Sequence, residues 1–256
     1  MLDKSIRPVM LRSSSTPGLF STVLYFILIL AAFSLHADDA PVLDRDPHYT
    51  AVGFFDIHIC NWPERQHFFK ILFSTEKFNE VTEMEVFYPS GSPLATLDKS
   101  RFMQLQRKGK PEKRVYMVDL DMPDRARTGW YTIKVKTTDG KEYLARDYVL
   151  LTRINRVSDM VPSSGDNAFP LPVTLTWSKV TGAGFYRAFI RDEWTGELVF
   201  RTKLISENSI KIPKGKLLPG GYYSWTVHAR DINEHVLLGD FHMGSMSKKA
   251  FFNVAE

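Results

Sequence analysis

Apolar residues occupy every second position in short stretches along the chain, and residues 222–230 are the clearest case. Tyr223, Trp225, Val227 and Ala229 alternate with the polar Ser224, Thr226, His228 and Arg230. A repeat of two residues is the period of a β-strand that buries one of its faces. The Pro219-Gly-Gly221 turn comes directly before this run. We therefore expect a sharp turn that leads into a strand packed on the core of a β-sandwich.

The same pattern predicts about fourteen strands, in two runs of about seven. Each stretch is short, rich in β-branched or aromatic residues, and bounded by turn residues, of which Asp139-Gly140 gives the strongest hairpin signal. We predict an all-β fold with two tandem sandwich domains at residues 38–155 and 156–256, each near the usual size of ~100 residues. The predicted strands are 52–60, 68–73, 83–88, 102–106, 115–121, 130–137, 143–150, 173–177, 185–191, 198–203, 209–212, 222–230, 236–241 and 249–254.

The second domain resembles fibronectin type III domains. The residues that carry the resemblance are Trp177, Tyr186, Pro219, Gly220 and Tyr223. The resemblance implies that Tyr223 is a corner tyrosine, whose hydroxyl bonds to the backbone upstream. The chain departs from the family at Gly221 and Tyr222, where members often have a threonine and a polar residue.

The first domain has a looser resemblance. The run from Gly129 to Lys136, Gly-Trp-Tyr-Thr-Ile-Lys-Val-Lys, is similar to the penultimate strand of bacterial immunoglobulin-like domains. This resemblance implies an immunoglobulin-like sandwich at residues 38–155. Such scaffolds carry many unrelated functions, so the function has to be argued from the surfaces.

Residues 1–37 have the pattern of a signal peptide. Lys4, Arg7 and Arg12 precede an uncharged apolar run at residues 19–35, and Leu35-His-Ala37 is a suitable cleavage site. An uncleaved anchor in the inner membrane is the alternative, because 17 residues lie at the lower limit of the ~17 to 25 that span a bilayer. Contact with the membrane is expected only in that second case.

The charge of the chain bears on the kind of partner it binds, and its cysteine content bears on the cell compartment in which it works. The chain has 33 Lys and Arg residues and 29 Asp and Glu residues, and without residues 1–37 the counts are 30 and 28. A nearly neutral mature protein does not favour nucleic acid as a partner. The single cysteine, Cys60, excludes a disulfide within the chain, and no glycosylation sequon is present. These features favour a periplasmic protein, or one at the bacterial cell surface.

Asp56, His58 and Cys60 alternate along one predicted strand, so all three share one face. Neighbours two apart on a strand diverge, so a metal site would need ligands from other strands, and His67 is the local candidate. We therefore predict no metal site and no cofactor. Because Phe55, Ile57 and Ile59 occupy the alternate positions, we expect Cys60 to face solvent as a free thiol.

A cluster of three carboxylates is present at Asp119, Asp121 and Asp124. It is not followed by the Asp-Gly loop that is typical of calcium-binding sites, so we predict no calcium site here. Tyr116, Val118, Leu120 and Met122 give the apolar parity of this strand. Asp119 and Asp121 are therefore expected to point outward into solvent.

Two surface features are candidates for binding. The first is a basic segment between two predicted strands, with Arg107, Lys108, Lys110, Lys113 and Arg114. It suits an anionic envelope polymer or lipid headgroup, although solvation and protection of a sheet end explain it equally well. The second is Trp194 in a predicted hairpin loop, where an aromatic side chain either contacts a partner or folds over the end of the sandwich.

The sequence contains no nucleophile elbow, zinc-protease motif, phosphate-binding glycine loop or haem attachment motif. We therefore predict that the protein is not an enzyme and has no catalytic residues. The favoured function is an exported binding or assembly module of the bacterial envelope, which contacts another envelope protein. The alternatives are a carbohydrate-binding accessory protein that uses Trp194, and a periplasmic assembly chaperone.

Overall fold

The structure is a computed structural model and describes residues 46–65, 67–163, 168–231 and 241–256. The predicted signal peptide at residues 1–37, and its cleavage site, lie outside the described residues. So does most of the predicted strand 236–241.

The described part of the chain is built from strands and turns, as the alternating patterns predict. Thirteen of the fourteen predicted strands are present within a few residues of their expected limits. The short strands β1, β5 and β15 were not predicted. The strands are β1 (Tyr49–Thr50), β2 (Gly53–Asn61), β3 (Phe68–Thr75), β4 (Val81–Phe87), β5 (Pro93–Thr96), β6 (Phe102–Leu105), β7 (Lys113–Asp121), β8 (Gly129–Thr137), β9 (Glu142–Val149), β10 (Thr174–Thr176), β11 (Phe185–Asp192), β12 (Leu198–Arg201), β13 (Ser209–Lys211), β14 (Tyr222–Arg230), β15 (Met243–Met246) and β16 (Ala250–Asn253).

The strands form three sheets around two hydrophobic cores. The largest sheet has ten strands in the order β12-β11-β14-β15-β2-β3-β7-β6, with β1 paired to β2 and β16 paired to β14. The second has four strands, β5-β4-β8-β9, and the third consists of β10 and β13. The first core lies between β2, β3 and β7 of the large sheet and the four-stranded sheet. The second core lies between β11 and β14 and the β10-β13 pair.

The hairpin of β8 and β9 shows how a local signal fixes register. Gly140 has a φ of 79°, a left-handed value that glycine adopts without strain. The strands pair from Lys136 and Glu142 at the turn to Gly129 and Val149 at the far end. The Asp139-Gly140 prediction is therefore confirmed.

Strand β15 joins the two halves of the chain in one sheet. It pairs antiparallel with β14 and parallel with β2, placing Gly244 beside Cys60. Residues 46–256 form one unit. The two cores are thus connected by backbone hydrogen bonds as well as by the chain, which the sequence did not predict.

A corner tyrosine is present in each half. In the second, the Tyr223 hydroxyl accepts a hydrogen bond from the Leu218 N–H at 2.9 Å. In the first, the Tyr131 hydroxyl accepts from the Arg127 N–H at 3.2 Å and donates to its carbonyl oxygen at 3.0 Å. Two-layer packing and these corners make the fold immunoglobulin-like and fibronectin type III-like, as the resemblance implied.

At Gly221, where this chain departs from the family, the ring of Tyr223 packs close to the backbone. A Cβ atom at this position would lie 2.5 Å from both the hydroxyl and a ring carbon of Tyr223. The tyrosine ring therefore occupies the volume that a threonine side chain needs. Farther along the same core, the ring of Trp177 packs against Tyr186 and Trp225, at centroid distances of 5.6 and 6.1 Å.

Candidate functional site

Trp194 lies in the turn between β11 and β12, and 79% of the residue is exposed. The turn is well ordered by its own hydrogen bonds. The Oδ1 atom of Asp192 accepts from the N–H groups of Trp194 and Thr195 at 2.8 and 2.9 Å, and Gly196 donates to the Asp192 carbonyl at 2.8 Å. Gly196 has a left-handed φ of 71°, which closes the turn. The turn thus presents the indole to solvent on a fixed backbone instead of folding it over the sandwich.

Neighbouring side chains extend this exposed indole into a surface. The ring of Tyr222 lies 6.2 Å from that of Trp194 and 6.1 Å from that of Phe251. Strand pairing places Leu198 opposite Arg191, Arg191 opposite Ser224, and Ser224 opposite Phe251. These four residues therefore form a row across the same outer face. We call this group the Trp194 surface; it comprises Arg191, Trp194, Leu198, Tyr222 and Phe251.

The Trp194 surface is rich in residue types that are common at protein interfaces. Tyrosine, tryptophan and arginine are the residues most enriched among those that dominate binding energy at protein interfaces. Trp194 and Tyr222 also carry polar N–H and O–H groups beside an apolar ring. This suits a surface that is exposed to water in the free protein and covered in a complex. The surface can therefore bind a partner through ring contacts and hydrogen bonds without any group of catalytic chemistry.

The predicted basic segment divides into two parts. Arg107, Lys108 and Lys110 are exposed in the turn between β6 and β7, whereas Lys113 and Arg114 are half-buried at the start of β7. The Arg114 guanidinium lies over the rings of Phe78 and Phe102, at 4.0 and 4.3 Å, and its Nε atom is 3.4 Å from Glu112. Arg114 is thus packed on aromatic rings, and its charge is partly neutralised.

The two predicted surfaces do not come together. The basic segment adjoins β6, at one end of the ten-stranded sheet, and Trp194 adjoins β12, at the other end. A single small ligand therefore cannot contact both.

A further exposed aromatic pair, Trp130 and Tyr148, was missed by the sequence analysis. It lies on the outer face of the four-stranded sheet, with ring centroids 5.2 Å apart, and Trp130 is 44% exposed. The signal was present in the sequence. Tyr131, Ile133 and Val135 set the inward parity of β8, so Trp130 has the outward parity.

The prediction that Cys60 faces solvent is wrong. Cys60 does lie on the face opposite Phe55, Ile57 and Ile59, but it is only 1% exposed. Its neighbours in the sheet are Phe68 on β3 and Gly244 on β15, so β2 is a central strand. All residues of β2 from Phe55 to Asn61 are buried, so both faces of the strand are covered. Burial raises the pKa of the Cys60 thiol to about 12, so the reactive thiolate is disfavoured.

Asp56 and His58, predicted to form a solvated face with Cys60, are buried as well and belong to a polar network. His58 Nε2 lies 2.5 Å from Asp56 Oδ2. His48 Nδ1 lies 2.7 Å from Asp46 Oδ1, and His48 Nε2 lies 3.1 Å from Asp147 Oδ1. We call these five residues the buried His-Asp network. His48 and Asp147 come from elsewhere in the chain, and sequence spacing gave no sign of them.

The other residues considered for metal binding have ordinary roles. Asp119 pairs with Lys70 and Asp121 with Arg65, each at 2.6 Å, on the outer face of β7 as predicted. Asp124 lies in the following turn, and no pairing brings these three carboxylates to one point. The pKa of His67 is lowered, by partial burial and then by Arg153.

A second buried group lies where β14 meets β15. Arg230 Nε donates to His228 Nδ1 at 3.2 Å, and the guanidinium lies 4.5 Å from the centre of the Phe241 ring. Burial, with Arg230 beside it, lowers the pKa of His228 to about 3. Burial and then Arg187 lower the pKa of Arg230 to about 10. His228 is thus a neutral imidazole that accepts a hydrogen bond from a cation.

The described residues contain no helix of the length and apolar character required to cross a membrane.

Comparison with known proteins gives neither a family nor a curated relative. No family model matches the chain, and no curated protein matches it. Among solved structures, the chain is similar to the first two immunoglobulin domains of DIP-gamma, with 16% identity, a TM-score of 0.22 and coverage of 80% of this chain and 98% of the other. It is also similar to the BSP domain of a biofilm-associated protein (10% identity, TM-score 0.26, coverage 78% and 29%). A third is a tetra-tandem repeat of a large adhesion protein (13%, 0.27, 79% and 50%).

Proposed function

We propose that the protein is a non-catalytic exported module of the bacterial envelope, which binds another envelope protein through the Trp194 surface. The observation that carries this proposal is the 79% exposure of Trp194 on a turn that its own hydrogen bonds hold in place. The indole lies beside the rings of Tyr222 and Phe251, and a contiguous exposed apolar patch of this kind marks an interaction site. The fixed backbone of the turn lowers the entropy lost when a partner binds.

The composition of the surface favours a protein partner. Leu198 and Arg191 are cross-strand neighbours on the sheet face that also carries Phe251. An aliphatic side chain and a guanidinium next to aromatic residues form the typical centre of a protein interface, with a more polar rim around it. The basic residues Arg107, Lys108 and Lys110 lie at the opposite end of the large sheet and are not needed for this contact.

A glycan is the alternative ligand, and one observation supports it. Trp194, Tyr222 and Phe251 form a row with centroid distances of 6.2 and 6.1 Å. Exposed aromatic rings in a row offer apolar contacts to the sugar rings of a polysaccharide. The third possibility, a periplasmic assembly chaperone, has no separate observation in its favour.

The compartment in this proposal comes from the sequence pattern of residues 1–37, with its basic start and its apolar run at residues 19–35. Export places the chain in the periplasm or at the cell surface. If residues 19–35 are retained, the same surface operates from an anchor in the inner membrane.

The test is site-specific crosslinking in intact cells, with a photoreactive amino acid at position 194 and, as the matched control, at position 130. Both positions hold exposed tryptophans, on different sheets. We expect a discrete protein adduct from position 194 that mass spectrometry identifies. The purified adduct partner should then bind the wild-type chain and lose at least tenfold in affinity with Trp194→Ala, but not with Trp130→Ala.

Two results would contradict the proposal. Saturable binding to a purified envelope polysaccharide that Trp194→Ala abolishes, with no protein adduct, would favour the glycan alternative. Adducts from position 130 alone would place the contact on the four-stranded sheet instead.

A further inference from the structure

Three side chains of the buried His-Asp network converge on one point. His48, Asp56 and Asp147 each offer a ligand atom within 4.8 Å of the other two. All three residues are more than nine-tenths buried, and Asp147 is fully buried. They come from three places in the chain: before β1, in the middle of β2, and near the end of β9.

Each of these three side chains is held by a second group. His48 Nδ1 bonds to Asp46 Oδ1 at 2.7 Å, and Asp147 Oδ2 accepts the N–H of Ile57 at 2.7 Å. Asp56 Oδ2 lies 2.5 Å from His58 Nε2. Metal ligands in proteins are typically oriented in this manner, with a carboxylate on the far nitrogen of the histidine and a donor on each carboxylate.

The chemistry between His48 and Asp147 requires a positive species. A neutral imidazole that donates from Nδ1 to Asp46 has a lone pair on Nε2, and this atom lies 3.1 Å from Asp147 Oδ1. Either a proton or a cation therefore lies between the lone pair and the carboxylate. Two ligands at ~2.0 to 2.2 Å from a tetrahedral ion lie ~3.4 Å apart, close to the 3.1 Å between His48 Nε2 and Asp147 Oδ1. The full set, whose ligand atoms lie within 4.8 Å of one another, would draw closer together when the ion binds.

We propose that His48, Asp56 and Asp147 bind a divalent transition metal of the Zn²⁺ class, with Asp46 and His58 as orienting residues. One imidazole nitrogen with carboxylate oxygens suits zinc better than calcium or magnesium, which take oxygen ligands alone. The site is independent of the Trp194 surface. Its role is structural, because the ion ties the segment before β1 to β2 and β9 in the first sandwich.

The probe is Zn²⁺ alone, added to the purified chain after treatment with a chelator. We expect one equivalent bound per chain by elemental analysis, and a rise in the unfolding temperature as free Zn²⁺ increases, since the ion binds the folded state. His48→Gln and Asp147→Asn should bind no zinc at this site. Asp46→Asn retains the three ligands and should bind ten- to a hundredfold more weakly.

His67→Asn is the matched control. It removes the nearest histidine in sequence outside the buried His-Asp network, and asparagine tolerates the left-handed φ of 49° at this position. This variant should bind zinc as the wild type does. Circular dichroism establishes which variants are folded.

A measurement on the wild type decides the matter if the ligand variants fail to fold. With ¹⁵N-labelled histidine, zinc should shift the Nε2 resonance of His48 and leave its Nδ1 resonance nearly unchanged. Absence of zinc uptake, a shift at His67 instead, or a His48 resonance that responds only to pH would overturn the proposal. In the last case a proton, and not a metal ion, lies between His48 Nε2 and Asp147 Oδ1.

Discussion

The corner tyrosine of the second sandwich gives the sharpest test of how the fold is held. Tyr223 is 1% exposed, its ring packs 5.6 Å from that of Phe252, and its hydroxyl accepts the N–H of Leu218 at 2.9 Å. Two substitutions separate the ring from the hydroxyl. Tyr223→Phe keeps the ring and removes the hydroxyl, whereas Tyr223→Ala removes both.

The expected magnitudes follow from the burial of each group. Loss of a buried aromatic ring costs about 3 to 5 kcal/mol of unfolding free energy, and Tyr223→Ala should fall in this range. Tyr223→Phe leaves the Leu218 N–H without its acceptor. Because the Leu218 residue is 64% exposed, water can approach this N–H, so we expect a loss of about 1 kcal/mol. Trp194→Ala should change the stability by less than about 0.5 kcal/mol, since its ring is exposed.

The assay is urea denaturation followed by circular dichroism, which does not depend on the tryptophan that one variant removes. With a slope of about 2 kcal/mol per molar urea, Tyr223→Ala should lower the midpoint by about 2 M. Tyr222→Phe, at the neighbouring position on the outer face, is the control and should be nearly silent. A silent Tyr223→Ala would refute the corner assignment, and equal losses for Tyr223→Ala and Trp194→Ala would place Trp194 in the core.

Three further predictions concern the strands that join the two cores. Cys60 should resist a thiol reagent in the native protein and react once urea unfolds it; rapid labelling without denaturant would show that β2 is exposed. For His228, a folded pKa of about 3 against the usual 6.5 means that the unfolded state binds the proton more readily, so stability is complete above pH 6.5 and falls as the pH falls toward 3. At pH 4.5 the loss should be about 3 kcal/mol, and an unchanged pH profile in His228→Gln would contradict this origin. Gly244→Ala places a Cβ 2.6 Å from His228 and 2.7 Å from Phe241, so it should cost about 1 to 3 kcal/mol in thermal denaturation, whereas Gly140→Asn in an open turn should have little effect.

Local patterns predicted those parts of the fold that depend on near neighbours. The β8–β9 hairpin follows from Asp139-Gly140, and the buried face of β14 follows from its alternation. The exposure of Trp194 was one of two outcomes that its loop position allowed. Strand β15, with the sequence Met-Gly-Ser-Met, has neither alternation nor β-branched residues, so nothing local marks it. Its pairing with β2 depends on contacts between residues about 180 positions apart.

The buried His-Asp network could not be predicted for a related reason. Alternation along β2 correctly put Asp56 and His58 on one face, but polarity alone does not distinguish a solvated face from one whose polar groups satisfy each other inside the protein. The partners are remote: His48 and Asp147 are 99 residues apart in sequence. Only the pairing of β1 with β2, and the packing of β9 against them, brings these groups together.

The edge of β2 that faces away from β3 shows why this network and β15 lie side by side. On the side away from β3, successive N–H groups of β2 find three different acceptors: Phe55 donates to the carbonyl of His48, Ile57 to the carboxylate of Asp147, and Ile59 to the carbonyl of His242. A buried strand with an unpaired edge would lose about 1 to 3 kcal/mol for each orphaned N–H. The Asp147 carboxylate therefore accepts the N–H of Ile57, which lies between the parts of this edge that pair with β1 and β15. Because this edge is closed within the protein, the large sheet is left with β6 and β12 as its terminal strands, and the Trp194 surface lies beside β12, where a partner can reach it.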